Sequence, residues 1–421
     1  MKNIFLSAFM FAFFIANATD RYVDPTLSAG DGVTLFTTIA SAVATSVNGD
    51  RIIIAPGSYA EPTLTLNKSL TLISQTAGST VYYNGNIVIA GFAGMKLQIL
   101  GFNLGVYSVS SSAIATGSSS NRAKVSIIDS KMVNMSLDQD YYELNCARCS
   151  MSGTTTFRFG NFVVSKTNDL YVLDEPQINQ VGSKHLIAGD TVISRLEVRN
   201  DDFPVTIANC QLYRLQFWKW NNNIVNTNYI RNNDFLNNAE LFFADNSPGY
   251  NFEFTSNLFL GLVSFYSGKV TFGSCSDIGT YNGQQCITGC YPSLSGNTYC
   301  AQFSAAASLF PNPAKSGFFK WTYNGIDLPC TVPSGSDPLV LTKIIGTTGT
   351  TVNSGNPNHD FYDIDLTIND RGRNGGPYCI QNYNPTYNPS NGKAYIFDLE
   401  IPSDLFPSVP VNIKAKGYHR N

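Results

Sequence analysis

The chain has 421 residues, 43% of them hydrophobic and 14% charged, enough apolar material for a large core in one long domain. Lys+Arg 27 against Asp+Glu 30 leaves a net charge of −3 with no basic run, so the electrostatic footprint of a nucleic-acid binder is missing. No apolar run reaches the ~20 residues that a membrane-crossing helix needs, so no membrane insertion is expected of the mature chain.

In chain order, Lys2, the apolar run Ile4 to Ile15 and Ala16-Asn17-Ala18 have the three parts of a secretory signal peptide. Residues 1–18 are expected to be removed, leaving a monomer that acts outside the cell or on its surface. Phe36, Ile39, Ala40, Val43 and Val47 keep helical spacing, which predicts an amphipathic helix over Thr34 to Val47, stopped by Asn48-Gly49-Asp50. A helix there can shield the open end of a stack of strands. Short strands are predicted at Arg51 to Ala55, Thr63 to Leu66, Leu70 to Ser74, Val81 to Tyr83 and Ile87 to Ala90.

This stretch, TLFTTIASAVATSVNGDRIIIAPGSYAEPTLTLNKSLTLIS, runs helix, Gly-Asp turn, apolar strand, Pro-Gly-x-Tyr and Asn-Lys-Ser-Leu-Thr-Leu. It resembles the N-terminal cap and first coil of secreted right-handed parallel β-helix proteins, the pectin-lyase-like superfold. The resemblance implies an all-β right-handed parallel β-helix with a helical cap over residues 19–377. It also implies a bias toward polysaccharides, but no particular reaction.

From Gly91 to Asp202, LQILGFNL, KVSIIDSKM, TFRFGNFVV and TVISRLEV each read as a strand between Ser/Thr/Gly loops. Cys146 and Cys149 have Cys-x-x-Cys spacing without a second pair or a nearby histidine, which leaves a local disulfide or plain thiols ahead of metal or redox chemistry.

The strongest internal signal lies between Ile207 and Tyr266. Asn209, Asn233 and Asn257 recur every 24 residues, as do Leu212, Leu236 and Leu260, and a fixed period of this size marks a solenoid. Leu215, Ala239 and Val263 share the inward phase with Phe217, Leu241 and Phe265, while Gln216, Glu240 and Ser264 point the other way. The three asparagines are expected to stack as a ladder at a turn, because Asn tolerates left-handed backbone and bonds neighbouring amides. Trp218, Phe242 and Tyr266 take equivalent outward places, so their rings form a candidate glycan-stacking column, or ordinary packing if something covers them. Cys210, inside the repeat, is expected to be a buried, inert thiol.

Cys275, Cys286, Cys290 and Cys300 crowd one Gly/Ser-rich segment, predicting a disulfide-rich insertion near 275–300. Ser354 to Pro377 resembles the segment that closes the last coil in many secreted bacterial β-helix proteins. Within it Asp363, Asp365 and Asp370 alternate as oxygen ligands do, so a structural calcium ion is one reading and a hydrogen-bonded loop the other. No further cofactor is expected. Residues 378–421, with KAYIFDLEI and VPVNIKAKGY, are predicted to form a C-terminal β tail.

Catalytic residues cannot be assigned. Hydrolysis of the kind polygalacturonases perform needs paired carboxylates, and Asp201-Asp202 stands alone, with neighbours in a strand facing opposite ways. His185, His359 and His419 are not flanked by glycines, and no motif selects a base for elimination among Arg195, Arg199, Arg214 and Arg231. The expected function is non-catalytic, adhesin-like binding of a polysaccharide or cell-surface glycan. The alternatives are a polysaccharide lyase or glycoside hydrolase acting on uronic-acid polymers, and a structural extracellular spacer.

Overall fold

The computed structural model describes residues 18–76, 80–173, 185–199, 204–217, 226–235 and 255–257, positions 368, 372, 373, 375 and 376, and the backbone of the later strands. Two large sheets dominate, one of 13 strands and one of 17, and every pairing inside them is parallel. Successive coils each add one strand to the first sheet and then one or two to the second, which gives a solenoid-like, all-β architecture.

The physical reason is alternation. Along the first sheet Ile52, Leu72, Ile99, Ile127, Cys146, Phe162, Ile187, Ile207 and Ile230 stand in register from coil to coil, and none exceeds 1% exposure. The register continues to Phe254 and Trp321. Each coil alone would leave its half of this column in water. Stacking buries it, at about 1.5–3 kcal/mol for each large apolar side chain.

Between the two sheets the chain turns through a single left-handed residue: Gly101, Asp129, Arg148, Val164, Gly189, Asn209, Asn232 and Ser256 occupy this place in successive coils, all at positive φ. Gly, Asn and Asp adopt that conformation readily, whereas Val164 at φ 48° is a β-branched residue held there by its neighbours. This turn corrects the predicted asparagine ladder. Ile207 pairs with Ile230 and Leu212 with Phe235, one residue short of the 24-residue step, because the left-handed residue must directly follow the strand. Asn209 therefore matches Asn232 and Ser256, and Cys210 matches Asn233 and Asn257. The core position opposite Leu212 is filled by Phe235, fully buried, rather than by Leu236.

The helix spans Ile39–Thr45, shorter than predicted, because Leu35–Phe36 is drawn out as a strand on Asp20–Val23. Thr38 caps it, its side chain accepting from the Ser41 amide. Glu61 accepts from the Ile39 and Ala40 amides, each at 2.7 Å, and Lys68 Nζ donates to the carbonyls of Val43, Ala44 and Ser46. An anion sits at its start and a cation at its end, as the helix dipole favours. Ile39, Ala42 and Val43 face the core beside the terminal strands of the first sheet.

Glu253 pairs directly with Lys320, so the segment that carries Cys275 to Cys300 runs between two adjacent coils. Those four cysteines lie outside the described residues. Cys146, Cys149 and Cys210 are buried and free, so the Cys146–Cys149 pair is two plain thiols, not a disulfide. Near the C-terminus Tyr395–Glu400 and Lys414–Tyr418 pair antiparallel. Among the described residues no helix is long and apolar enough to cross a membrane.

Candidate functional site

The outer face of the first sheet carries polar residues in register where its inner face carries the apolar column. Lys96 lies beside Lys124 and Lys124 beside Glu143; two residues further along the strands, Thr71, Gln98, Ser126, Asn145 and Asn161 form a second row. Alternation requires this, since Leu97 and Ile99 point inward on either side of Gln98. Thr71, Lys96, Gln98, Lys124, Ser126 and Asn145 of these rows line an open cleft of about 380 Å³, bordered at one end by Gly49 and Ser69, while Asn161 beyond them is buried.

Side chains bond along the row: Thr71 Oγ1 donates to Gln98 Oε1 at 3.3 Å and Asn161 Nδ2 to Asn145 Oδ1 at 2.9 Å. Lys124 Nζ lies 3.5 Å from Glu143, and the lysine is 57% exposed. Lys96 makes no ion pair among the described residues, so the cleft carries one uncompensated positive charge. Hydroxyls, amides and an ammonium in an open groove can exchange water for the hydroxyls of a saccharide.

A second polar assembly is buried. Directly after the left-handed turn residues, Ser130, Cys149, Ser165, Asp190, Cys210, Asn233 and Asn257 form a ladder between coils. Ser165 Oγ accepts from the Cys149 amide at 3.0 Å, Asp190 Oδ1 from the Ser165 amide at 2.6 Å, Asn233 Oδ1 from the Cys210 amide at 2.9 Å and Asn257 Oδ1 from the Asn233 amide at 3.0 Å. Ser165, Cys210, Asn233 and Asn257 also donate to a nearby carbonyl, as Asn233 Nδ2 does to Ile207 and Cys210 Sγ to Ala208. Burial pushes the Asp190 carboxyl well above the usual carboxylate range, although two amides and Arg373 act against it. Burial likewise raises the Cys210 thiol, which keeps it unreactive.

Arg373 reaches this ladder from far along the chain. It is 2% exposed, its Nη1 donates to Gln211 Oε1 at 2.8 Å and its amide to Asp234 Oδ1 at 3.0 Å. Asn209 Nδ2 donates to the carbonyls of Arg373 and Gly375, and the Gly372 amide to the Ser256 carbonyl. The described part of the predicted closing segment thus runs along the turns of three coils. Sequence reasoning placed Asn233 and Asn257 in a ladder at the turn but missed its other members and the clasp; the signal was a small polar residue just after each turn.

Of the predicted aromatic column, Phe242 and Tyr266 are backbone partners in parallel strands, while Trp218 lies outside the described residues. Asp363, Asp365 and Asp370, and Asp201 with Asp202, also lie outside them. Among the described residues no three His, Cys, Asp or Glu side chains assemble as a metal site. Arg195 stacks on the Tyr171 ring at 4.9 Å and lies 3.2 Å from Glu197, which also pairs with Arg199. Arg231 covers the ring of Tyr229 at 4.2 Å. His185 is buried edge-on against Phe159. Comparison with protein-family models, curated proteins and solved structures finds no match for this chain.

Proposed function

We propose that this chain is a secreted, right-handed parallel β-helix of the pectin-lyase-like type that binds a polysaccharide or cell-surface glycan without cleaving it. The observation that carries the reading is the cleft on the first sheet, where Gln98, Ser126 and Asn145 present hydrogen-bonding groups at successive coils. Neighbouring parallel strands stand about 4.8 Å apart, close to the length of one sugar ring, so an extended saccharide lying across the strands can meet one polar group per coil. Phe242 and Tyr266, register partners in adjacent parallel strands, remain with Trp218 the proposed second contact for the glycan. The helix at the N-terminus serves as the cap of the solenoid.

The reading is tested by screening the purified protein on a glycan array and following the ligands found with Gln98→Ala and Asn145→Ala. Each substitution should weaken binding about fivefold, the loss of one hydrogen bond of about 1 kcal/mol; Gln98→Ala should leave the thermal midpoint unchanged, whereas Asn145→Ala also removes the acceptor of the buried Asn161 Nδ2 and should lower it. Binding unaffected by both would remove the cleft from the account. New reducing ends or unsaturated uronates during incubation would establish a glycoside hydrolase or lyase instead.

A further inference from the structure

We infer that removal of the leader seats the new amino terminus, the ammonium group of Thr19, on the buried carboxylate of Asp50, so that maturation itself locks the capped end of the solenoid; this rests on the reading of the chain as secreted and cut after Ala18. Asp50 is fully buried, whereas Ala18 and Thr19 beside it are exposed. Its Oδ1 accepts from the Thr19 nitrogen at 2.9 Å, and its Oδ2 from Arg21 Nε at 2.7 Å and from the Val47 amide at 2.9 Å. One carboxylate thus joins the start of the Asp20–Val23 strand, the turn after the Ile39–Thr45 helix and the start of the Arg51–Ile54 strand. Burial alone would raise this carboxyl, but the Val47 and Thr19 amides and Arg21 together hold it below the ordinary carboxylate range, so it is charged at neutral pH.

In the precursor the Thr19 nitrogen belongs to a peptide bond and brings Asp50 one N–H and no charge. A signal peptidase hydrolyses the Ala18–Thr19 bond with one water: the Ala18 carbonyl carbon takes the oxygen and leaves with the leader as a carboxylate, and the Thr19 nitrogen becomes an ammonium. A neutral hydrogen bond becomes a charge-assisted one at a contact that is already 2.9 Å long. Each oxygen of Asp50 then faces one cation, Thr19 at Oδ1 and Arg21 at Oδ2. The other charged neighbours, Asp20 and Arg51, are register partners that pair with each other at 3.3 Å. The Arg51 amide donates to the Thr19 carbonyl at 3.1 Å, which holds the nitrogen in place.

The test begins with amino-terminal sequencing of the full chain after secretion, where Thr19 should be the first residue. The mature protein is then compared with Asp50→Asn and with a chain that keeps Ala16 to Ala18, in which the Thr19 nitrogen is again a peptide amide. Acylation of the α-amine across pH, read by mass spectrometry of the amino-terminal peptide, follows its titration, which should fall at higher pH in the mature protein than in the other two. Below about pH 8, the ordinary titration range of an α-amine, the mature protein should melt above the extended chain. That gap should close as pH rises further, because a folded pKa above the unfolded one gives stability only while the proton is held. Should Asp50→Asn fail to fold, the extended chain decides alone, since it keeps both Asp50 and Arg21. An α-amine that titrates alike in the mature and extended chains, or thermal midpoints equal at every pH, would overturn the inference and leave secretion standing. A first residue other than Thr19 would overturn both the inference and the cut after Ala18.

Discussion

Asp190 is the one acid in a ladder whose other described members are Ser, Cys and Asn, and its carboxyl holds a proton far more tightly than an exposed one. The cause is burial, which penalises the charged form more than the Ser165 and Ala188 amides and Arg373 stabilise it. The sign of the pH dependence follows. A folded pKa above the unfolded one means that the native chain keeps its proton after the unfolded chain has lost it, so this residue costs stability as pH rises above about 4. Asp190→Asn keeps the acceptor for the Ser165 amide and removes the titration. Denaturant midpoints measured across pH should show a flatter fall from acid to neutral pH in the variant than in wild type, and parallel curves would show that Asp190 is not the titrating group. None of this was legible in the sequence, where Asp190 sits in an ordinary Gly-Asp turn. Its meaning depends on Ser165 and Cys210, which only the stacking of coils brings to it.

At the scale of the element, the strands were legible and their register only partly so. Period-two alternation found the strands from Arg51 to Ala90 and the coils from Ile207 to Tyr266, because a sheet with a buried inner face imposes it. The fixed step of 24 residues held between the coils of Arg231 and Thr255 but was 23 between Cys210 and Asn233. A connecting loop one residue shorter shifts a sequence alignment, while the ladder hydrogen bonds keep the structural one. Phe235 decides between the two. It is fully buried opposite Leu212, so Phe235→Asp should cost about 3–5 kcal/mol or more, from the lost ring and an unpaired buried charge. A thermal midpoint within a degree or two of wild type would restore the unbroken period. The helix shows the same limit. Its apolar stripe was legible, but Leu35–Phe36 left it because the Asp20–Val23 strand offered backbone partners that no helical spacing reveals.

For the whole molecule, coil length varies while coil geometry does not. Register partners in the first sheet lie 27 residues apart at Thr71 and Gln98 but 16 apart at Asn145 and Asn161, so most of the solenoid has no sequence period to find. The loops absorb the difference, and the insertion before Lys320 is the extreme case. The outer rows of the first sheet escaped sequence reasoning for that reason: Lys96, Lys124 and Glu143 come from coils of different length, and only stacking aligns them. The proposed aromatic column of Trp218, Phe242 and Tyr266 was singled out instead because a 24-residue spacing repeats there in the sequence. Lysine acetylation footprinting read by mass spectrometry, with and without the glycan that binds most tightly on the array, compares these surfaces directly. Lys96 and Lys124 should become protected when the saccharide is present, while Lys131, exposed on the second sheet, should react as before. Unchanged labelling of Lys96 and Lys124 under saturating saccharide would contradict the assignment of the cleft as the binding site.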